Sequence, residues 1–222
     1  DGDTQDAYFA AVASEVAQKI MDGLGGVDMS SLVQTVQQDA SERRVQVWMS
    51  DQDEEQAIQS MKMGGELSSD STQPVLGVYV NDNTWGKMCW YLKLSTNIGS
   101  ATTNSDGTTT YSVTTSVTNT ATDDELASAP EYVIGNSPAK RDDGDIYLSP
   151  VLLMAPAGGK ISDVSVSGTA TMGEGTLYGF DTWSGSVNIE PQETVTYTYK
   201  VTTAAGATTS LALDTTPTGQ RF

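Results

Sequence analysis

The chain has 222 residues, 29 acidic against 11 basic, a formal net charge of -18 and no histidine. Such a charge repels nucleic-acid phosphates and anionic lipid head groups, so neither is an expected partner. The missing histidine excludes a His-dependent nucleophile triad and removes the commonest transition-metal ligand.

Tyr8, Val12, Val16 and Ile20 recur every four residues, with Phe9 and Ala13 beside them, and predict a first helix that ends at Gly23, Gly25 and Gly26. Asp28 is placed to cap a second helix through Leu32, Val33, Val36 and Ala40. Arg43 and Arg44 then lead into a β-like run, Val45-Gln46-Val47-Trp48-Met49. Asp51 and Glu54 have capping-box spacing for a third helix that carries Ala57, Ile58 and Met61 and ends at Gly64-Gly65. The order so far is α, α, β, α.

Val75 to Val80 and Lys87 to Leu94 are apolar runs separated by Asn81-Asp82-Asn83-Thr84-Trp85-Gly86, which predicts a hairpin. Within it Cys89, the single cysteine, sits between Met88 and Trp90 and reads as a packing thiol on a strand. One cysteine closes no internal disulfide, which is compatible with an exported protein that has a sufficient core. Gly99 to Gly107, rich in Ser, Thr and Asn, reads as a linker.

Thr108 to Thr118 alternates Tyr111, Val113 and Val117 with Thr and Ser, as a half-buried antiparallel strand does. Asp123 to Pro138 reads as a connection in which Asp-Asp-Glu-Leu-Ala forms one helical turn. Ile146 to Met154, Ile161 to Val166, Thr176 to Thr182, Ser186 to Ile189, Thr194 to Val201 and Thr208 to Leu213 supply further strands at sandwich-like spacing. The expected fold class is α+β: an α/β segment over residues 1–100 that ends a larger domain, then an antiparallel, immunoglobulin- or fibronectin-like β-sandwich of about seven strands over 101–222.

Several residue groups have chemistry to offer. Arg43 and Arg44 precede a strand in a very acidic chain, where a guanidinium either binds a phosphate of a lipid-linked precursor in bidentate fashion or pairs with local acids. Asp51, Asp53, Glu54 and Glu55 present oxygen ligands for a hard cation but also suit a helix N-terminus. Asp142, Asp143 and Asp145 around Gly144 lack EF-hand spacing and fit a hydrated turn. The expectation is therefore no metal and no cofactor. Trp85, Trp90, Tyr91, Tyr178 and Trp183 include candidates for stacking on sugar rings, and Trp85, in a turn, is the one expected to be exposed. No carboxylate pair stands out for glycoside hydrolysis.

A resemblance follows from Asp6-Ala7-Tyr8-Phe9, Arg43-Arg44-Val45-Gln46-Val47-Trp48-Met49-Ser50, Gly77-Val78-Tyr79-Val80-Asn81-Asp82, Gly86-Lys87-Met88 with Tyr91-Leu92, and Ala155-Pro156-Ala157-Gly158. Over nearly its whole length the chain resembles the C-terminal part of domain-of-unknown-function family 4012, bacterial and largely actinobacterial cell-surface proteins. That pattern commonly has an Asp before a Tyr-Tyr-Leu run, where this chain has Cys89 and Trp90. The resemblance implies an exported, membrane-tethered protein whose anchor and N-terminal part lie outside this segment, and it brings no catalytic residues. The family's N-terminal part is similar to wall-polymer phosphotransferases, a likeness of fold that does not settle activity.

The resulting expectation is an extracellular segment of a cell-envelope protein with a structural or interaction role, its partners a cell-wall glycan or another envelope protein, with no nucleic acid and no membrane contact of its own. The alternatives are a wall-polymer transferase or hydrolase whose catalytic groups lie in the absent part, and a glycan-binding module. An enzyme requires a deep cleft with converging Arg and carboxylates, a binder an exposed aromatic platform, and a spacer neither.

Overall fold

The structure is a computed structural model that describes residues 2–23, 28–61, 63–82, 84–135, 147–168 and 170–219. The chain forms two compact units, residues 1–65 and 66–222.

The first unit is helical: α1 (Gly2–Gly23), α2 (Met29–Ser41) and α3 (Gln52–Ser60). Asp28 caps α2 as its composition requires, with Oδ1 accepting from the Ser30 N–H and Oδ2 from the Ser31 hydroxyl. These bonds hold the Asp28 carboxyl below the usual carboxylate range, because they favour its charged form. Asp51 caps α3 through the Asp53 and Glu54 N–H groups. The expected strand at Val45–Met49 does not form. The Val47 N–H reaches the Met63 carbonyl, but the Met49 N–H is taken by the Glu55 carboxylate at 2.7 Å, so no ladder propagates. Ala40 is the one buried side chain among the described residues here, and Tyr8, Phe9, Val12 and Val16 of the α1 stripe are exposed.

The second unit holds nine strands among its described residues: β1 (Val75–Val80), β2 (Leu92–Thr103), β3 (Thr109–Asn119), β4 (Tyr147–Met154), β5 (Lys160–Val166), β6 (Gly173–Leu177), β7 (Phe180–Ile189), β8 (Thr194–Thr202) and β9 (Ala212–Thr215). They make two sheets, β6-β7-β4-β1-β9 and β2-β3-β8-β5, in a sandwich-like arrangement, and the fold class is α+β. All ladders are antiparallel except β1 with β9, where Val75 to Val78 run parallel to Ala212 to Thr215. Strict alternation buries Leu76, Val78 and Val80 on β1, Val113 and Val117 on β3, and Val195, Tyr197, Tyr199 and Val201 on β8. Each fully buried side chain of this kind contributes about 1.5–3 kcal/mol, and together they form one core. Asp181 and Trp183 on β7 tie the sheets together. The Asp181 carboxylate accepts from the Ile161 N–H on β5 at 2.9 Å, and the Trp183 indole N–H donates to the Ile161 carbonyl at 3.2 Å.

Three expectations about this region change. The hairpin at 75–94 is absent, because β1 pairs with β4 and β9 while β2 joins the other sheet. The units divide at Gly65 and not near Ser100, since β1 and β2 each pair with later strands and residues 66–100 belong to the β unit. The linker expected at 99–107 is the end of β2 and a tight turn in which the Gly107 N–H meets the Asn104 carbonyl. The neighbouring β3 and β8 pair hydroxyls across strands, as Thr110 does with Thr202 and Thr118 with Thr194. Farther on, the strand expected over 176–182 is interrupted by a hairpin turn at Tyr178-Gly179, both at positive φ, which the primed turn requires.

Candidate functional site

The most built-up surface feature lies where the segment between β1 and β2 meets the short helices α4 (Asp123–Ser128) and α5 (Glu131–Ile134). β1 ends as the Asn81 N–H donates to the Pro150 carbonyl. Asp82 then folds the chain back, its Oδ1 accepting from the Thr84 N–H at 2.7 Å and from the Thr84 hydroxyl at 2.6 Å, which buries Thr84. The other oxygen, Asp82 Oδ2, is buried without a hydrogen-bond partner among the described residues.

Trp85 follows at φ 60°, a left-handed conformation that costs a bulky L-residue about 1–2 kcal/mol. The turn is held by backbone contact on both sides. A Cβ on Gly86 would lie 2.4 Å from the Val133 carbonyl oxygen, and one on Gly135 would lie 1.9 Å from that of Thr84. The Lys87 N–H closes the contact with a 2.7 Å bond to the Val133 carbonyl, and its ammonium lies 5.0 Å from the centroid of the Tyr132 ring. Thr122 and Glu125 complete a capping box that orders α4, and these bonds hold the Glu125 carboxyl below its usual range.

The chain then turns through a 3-10 segment, Met88–Tyr91, instead of the expected strand. Met88 is buried and anchors it, whereas Cys89 is exposed, which corrects the reading of a packing thiol. The Tyr91 carbonyl accepts from the N–H and the hydroxyl of Thr120. The outcome is a corner that leaves Trp85 at 72% and Tyr132 at 49% of full exposure, while Trp90, 62% exposed, has its ring against Gly219.

A second feature is an open polar cleft of about 380 Å³ at one end of the β2-β3-β8-β5 sheet, lined among others by Asn104, Asp106, Thr108, Thr110, Lys160 and Thr202. The Thr108 hydroxyl and N–H hold the Asp106 carboxyl below its usual range, with Lys160 adding a smaller effect of the same sign. Its lining supplies one carboxylate and one ammonium. In the core, burial pushes the hydroxyls of Tyr197 and Tyr199 upward. Tyr199 shares a bond with Thr115, whereas Tyr197 Oη has no partner among the described residues.

Of the residues singled out from sequence, Trp85 stands exposed at this corner. Arg43 and Arg44 lie in the first unit, where each makes a local contact: Arg43 donates to the Gly65 carbonyl at 2.8 Å, and Arg44 pairs with Glu42 at 2.6 Å. Arg43 also ends α2 at φ 58°. Asp51 and Glu55 are occupied in capping α3 and holding the Met49 N–H. Asp142, Asp143 and Asp145 lie outside the described residues. Trp183 is structural, Tyr91 packs half-buried on the core, and Tyr178 is exposed in the β6–β7 turn. Sequence reasoning missed Tyr132 and Lys87. Lys87 stands two residues after Trp85, but nothing in the sequence links Tyr132 to that turn across more than forty residues. No family model, curated protein or solved structure matches the chain.

Proposed function

We propose that the chain is an extracellular segment of a bacterial cell-envelope protein and serves as an interaction module, holding a partner rather than transforming it. The observation that carries this reading is the corner that exposes Trp85 and Tyr132. Two large aromatic side chains stand in water where the Trp85 turn and α5 are held together by backbone contact, and Trp85 does so at a conformational cost that core packing does not explain. An exposed aromatic platform separates a binder from a plain spacer. Support for the envelope setting comes from the motif resemblance and the acidity of the chain. Among the described residues no helix is long and apolar enough to cross a membrane. The partner is a wall glycan or another envelope protein.

The reading is tested in cells that make the full-length protein with a photo-crosslinking residue in place of Trp85, or in place of Ser95 on the outer face of β2. Crosslinked adducts at 85 and not at 95, together with cleavage of the β unit by protease added to intact cells, support it. A β unit protected from external protease, or equal crosslinking at both positions, overturns it.

A further inference from the structure

We infer that the Trp85 corner binds a neutral pyranose ring, an assignment that rests on the interaction reading and names its ligand class. Two kinds of partner use exposed tryptophan and tyrosine. A protein interface surrounds its aromatic anchors with apolar area and covers about 800 Å² on each side. A sugar site sets one or two aromatic faces among hydrogen-bonding groups, because a pyranose has an apolar C–H face and a rim of hydroxyls.

The corner has the second composition. Across residues 81–91 and 122–135 no Leu, Ile, Val or Met is exposed among the described residues: Met88 and Leu126 are buried, and Val133 and Ile134 are half-buried. Beside Trp85 and Tyr132 in the chain stand the exposed, charged Lys87 and Glu131, and the Lys87 ammonium lies 5.0 Å from the centroid of the Tyr132 ring.

Charge fixes the class further. A net charge of -18, with Asp82 in the Trp85 turn and Glu131 next to Tyr132 in the chain, disfavours uronates, sulfated sugars and polyol phosphates. Neutral sugars meet no such penalty. The conformation of Trp85 agrees with this assignment: it stands exposed on a left-handed turn whose backbone is set by close contact of Gly86 and Gly135 with Val133 and Thr84. A preset turn has less backbone freedom to lose when a ring stacks on it.

The test is tryptophan fluorescence and calorimetric titration of the whole chain with chitohexaose and with maltohexaose as neutral probes, and polygalacturonate as the anionic one. Saturable binding of at least one neutral probe and none of polygalacturonate is expected. Trp85→Ala weakens binding at least 10-fold, Trp85→Tyr retains most of it, and Trp48→Ala, in the other unit, leaves it unchanged. Thermal unfolding of each variant separates lost binding from lost folding. Absence of saturable binding to both neutral probes overturns the assignment, as does Trp85→Ala binding like wild type, or a preference for polygalacturonate. If position 85 crosslinks to an envelope protein in cells while neither neutral sugar binds, the pyranose assignment falls and the interaction reading stands.

Discussion

Replacing Gly135 with Ala tests whether the aromatic corner is held by backbone contact. Gly135 sits at φ 75°, ψ 171°, a region open only to glycine. The new Cβ would lie 1.9 Å from the Thr84 carbonyl oxygen, and this contact must open to at least 3.0 Å before any real side chain fits. The atoms that have to yield are backbone on both sides. Moving them breaks the 2.7 Å bonds from the Lys87 N–H to Val133 and from the Gly135 N–H to Glu131. Conformational strain of about 1–3 kcal/mol and about 1 kcal/mol for each lost bond give a destabilisation of about 3–5 kcal/mol. For a unit of roughly 150 residues this lowers the melting temperature by roughly 6–20 °C. Gly206 is the internal control, at φ 82° with no atom within 4 Å of the position a Cβ would take. Its change to Ala costs about 1–2 kcal/mol in the folded state, offset by about 0.4–1 kcal/mol through the unfolded chain. Differential scanning calorimetry of the two variants decides the matter. If Gly135→Ala is no worse than Gly206→Ala, the corner is pliable and the reasoning from a preset Trp85 fails.

Three further outcomes follow from the core and the turns. Tyr197→Phe removes a buried hydroxyl without a partner among the described residues and should leave stability unchanged or raised, whereas Tyr199→Phe gives up the bond to Thr115 and should cost about 1 kcal/mol, both read from urea midpoints. Leu76→Ala, at a side chain with no exposure in the middle of the core, should cost about 2–5 kcal/mol in the same assay. Asp106→Ala probes the β2–β3 turn: because the folded carboxyl titrates below its unfolded value of 3.8, its contribution is present above that pH and is lost as the pH falls through the folded value. The stability gap between wild type and Asp106→Ala should therefore be constant near neutrality and close on acidification below about pH 4; a gap that persists at about pH 2 would show that the hydrogen bonds to Thr108 do not depend on the charge.

Much of this architecture was legible in the chain because it depends on near neighbours. Asp28 and Asp51 cap the helices assigned to them, the β3 and β8 strands show their alternation of Val or Tyr with Thr, and the Thr122–Glu125 turn falls in the connection where it was expected. Even the exposure of Trp85 could be argued from its place among Asn, Asp and Gly. What misled was composition read without pairing. The run at 45–49 is rich in β-formers but finds no second strand, since Glu55 takes the Met49 N–H. The Thr- and Ser-rich stretch at 99–107 reads as a linker until β3 lies beside it, with Thr102 and Thr103 in register with Thr110 and Thr109. The two runs flanking residue 84 read as one hairpin because nothing local reveals that β1 is claimed by β4 and β9, which follow it by about 70 and 130 residues.

Sequence by itself determined the net charge and the chemistries that a chain without histidine cannot perform, the starts of α2 and α3, and the alternating strands β3 and β8. Each depends on residue type or on contacts a few positions apart, where periodicity and capping leave a direct signature. Tertiary structure decided which sheet each strand joins, that the division falls at Gly65, and that Lys87 and Tyr132 meet beside Trp85. Those outcomes depend on long-range pairing, in which any alternating strand is compatible with many partners until the whole core closes and one arrangement satisfies the backbone bonds of all of them together.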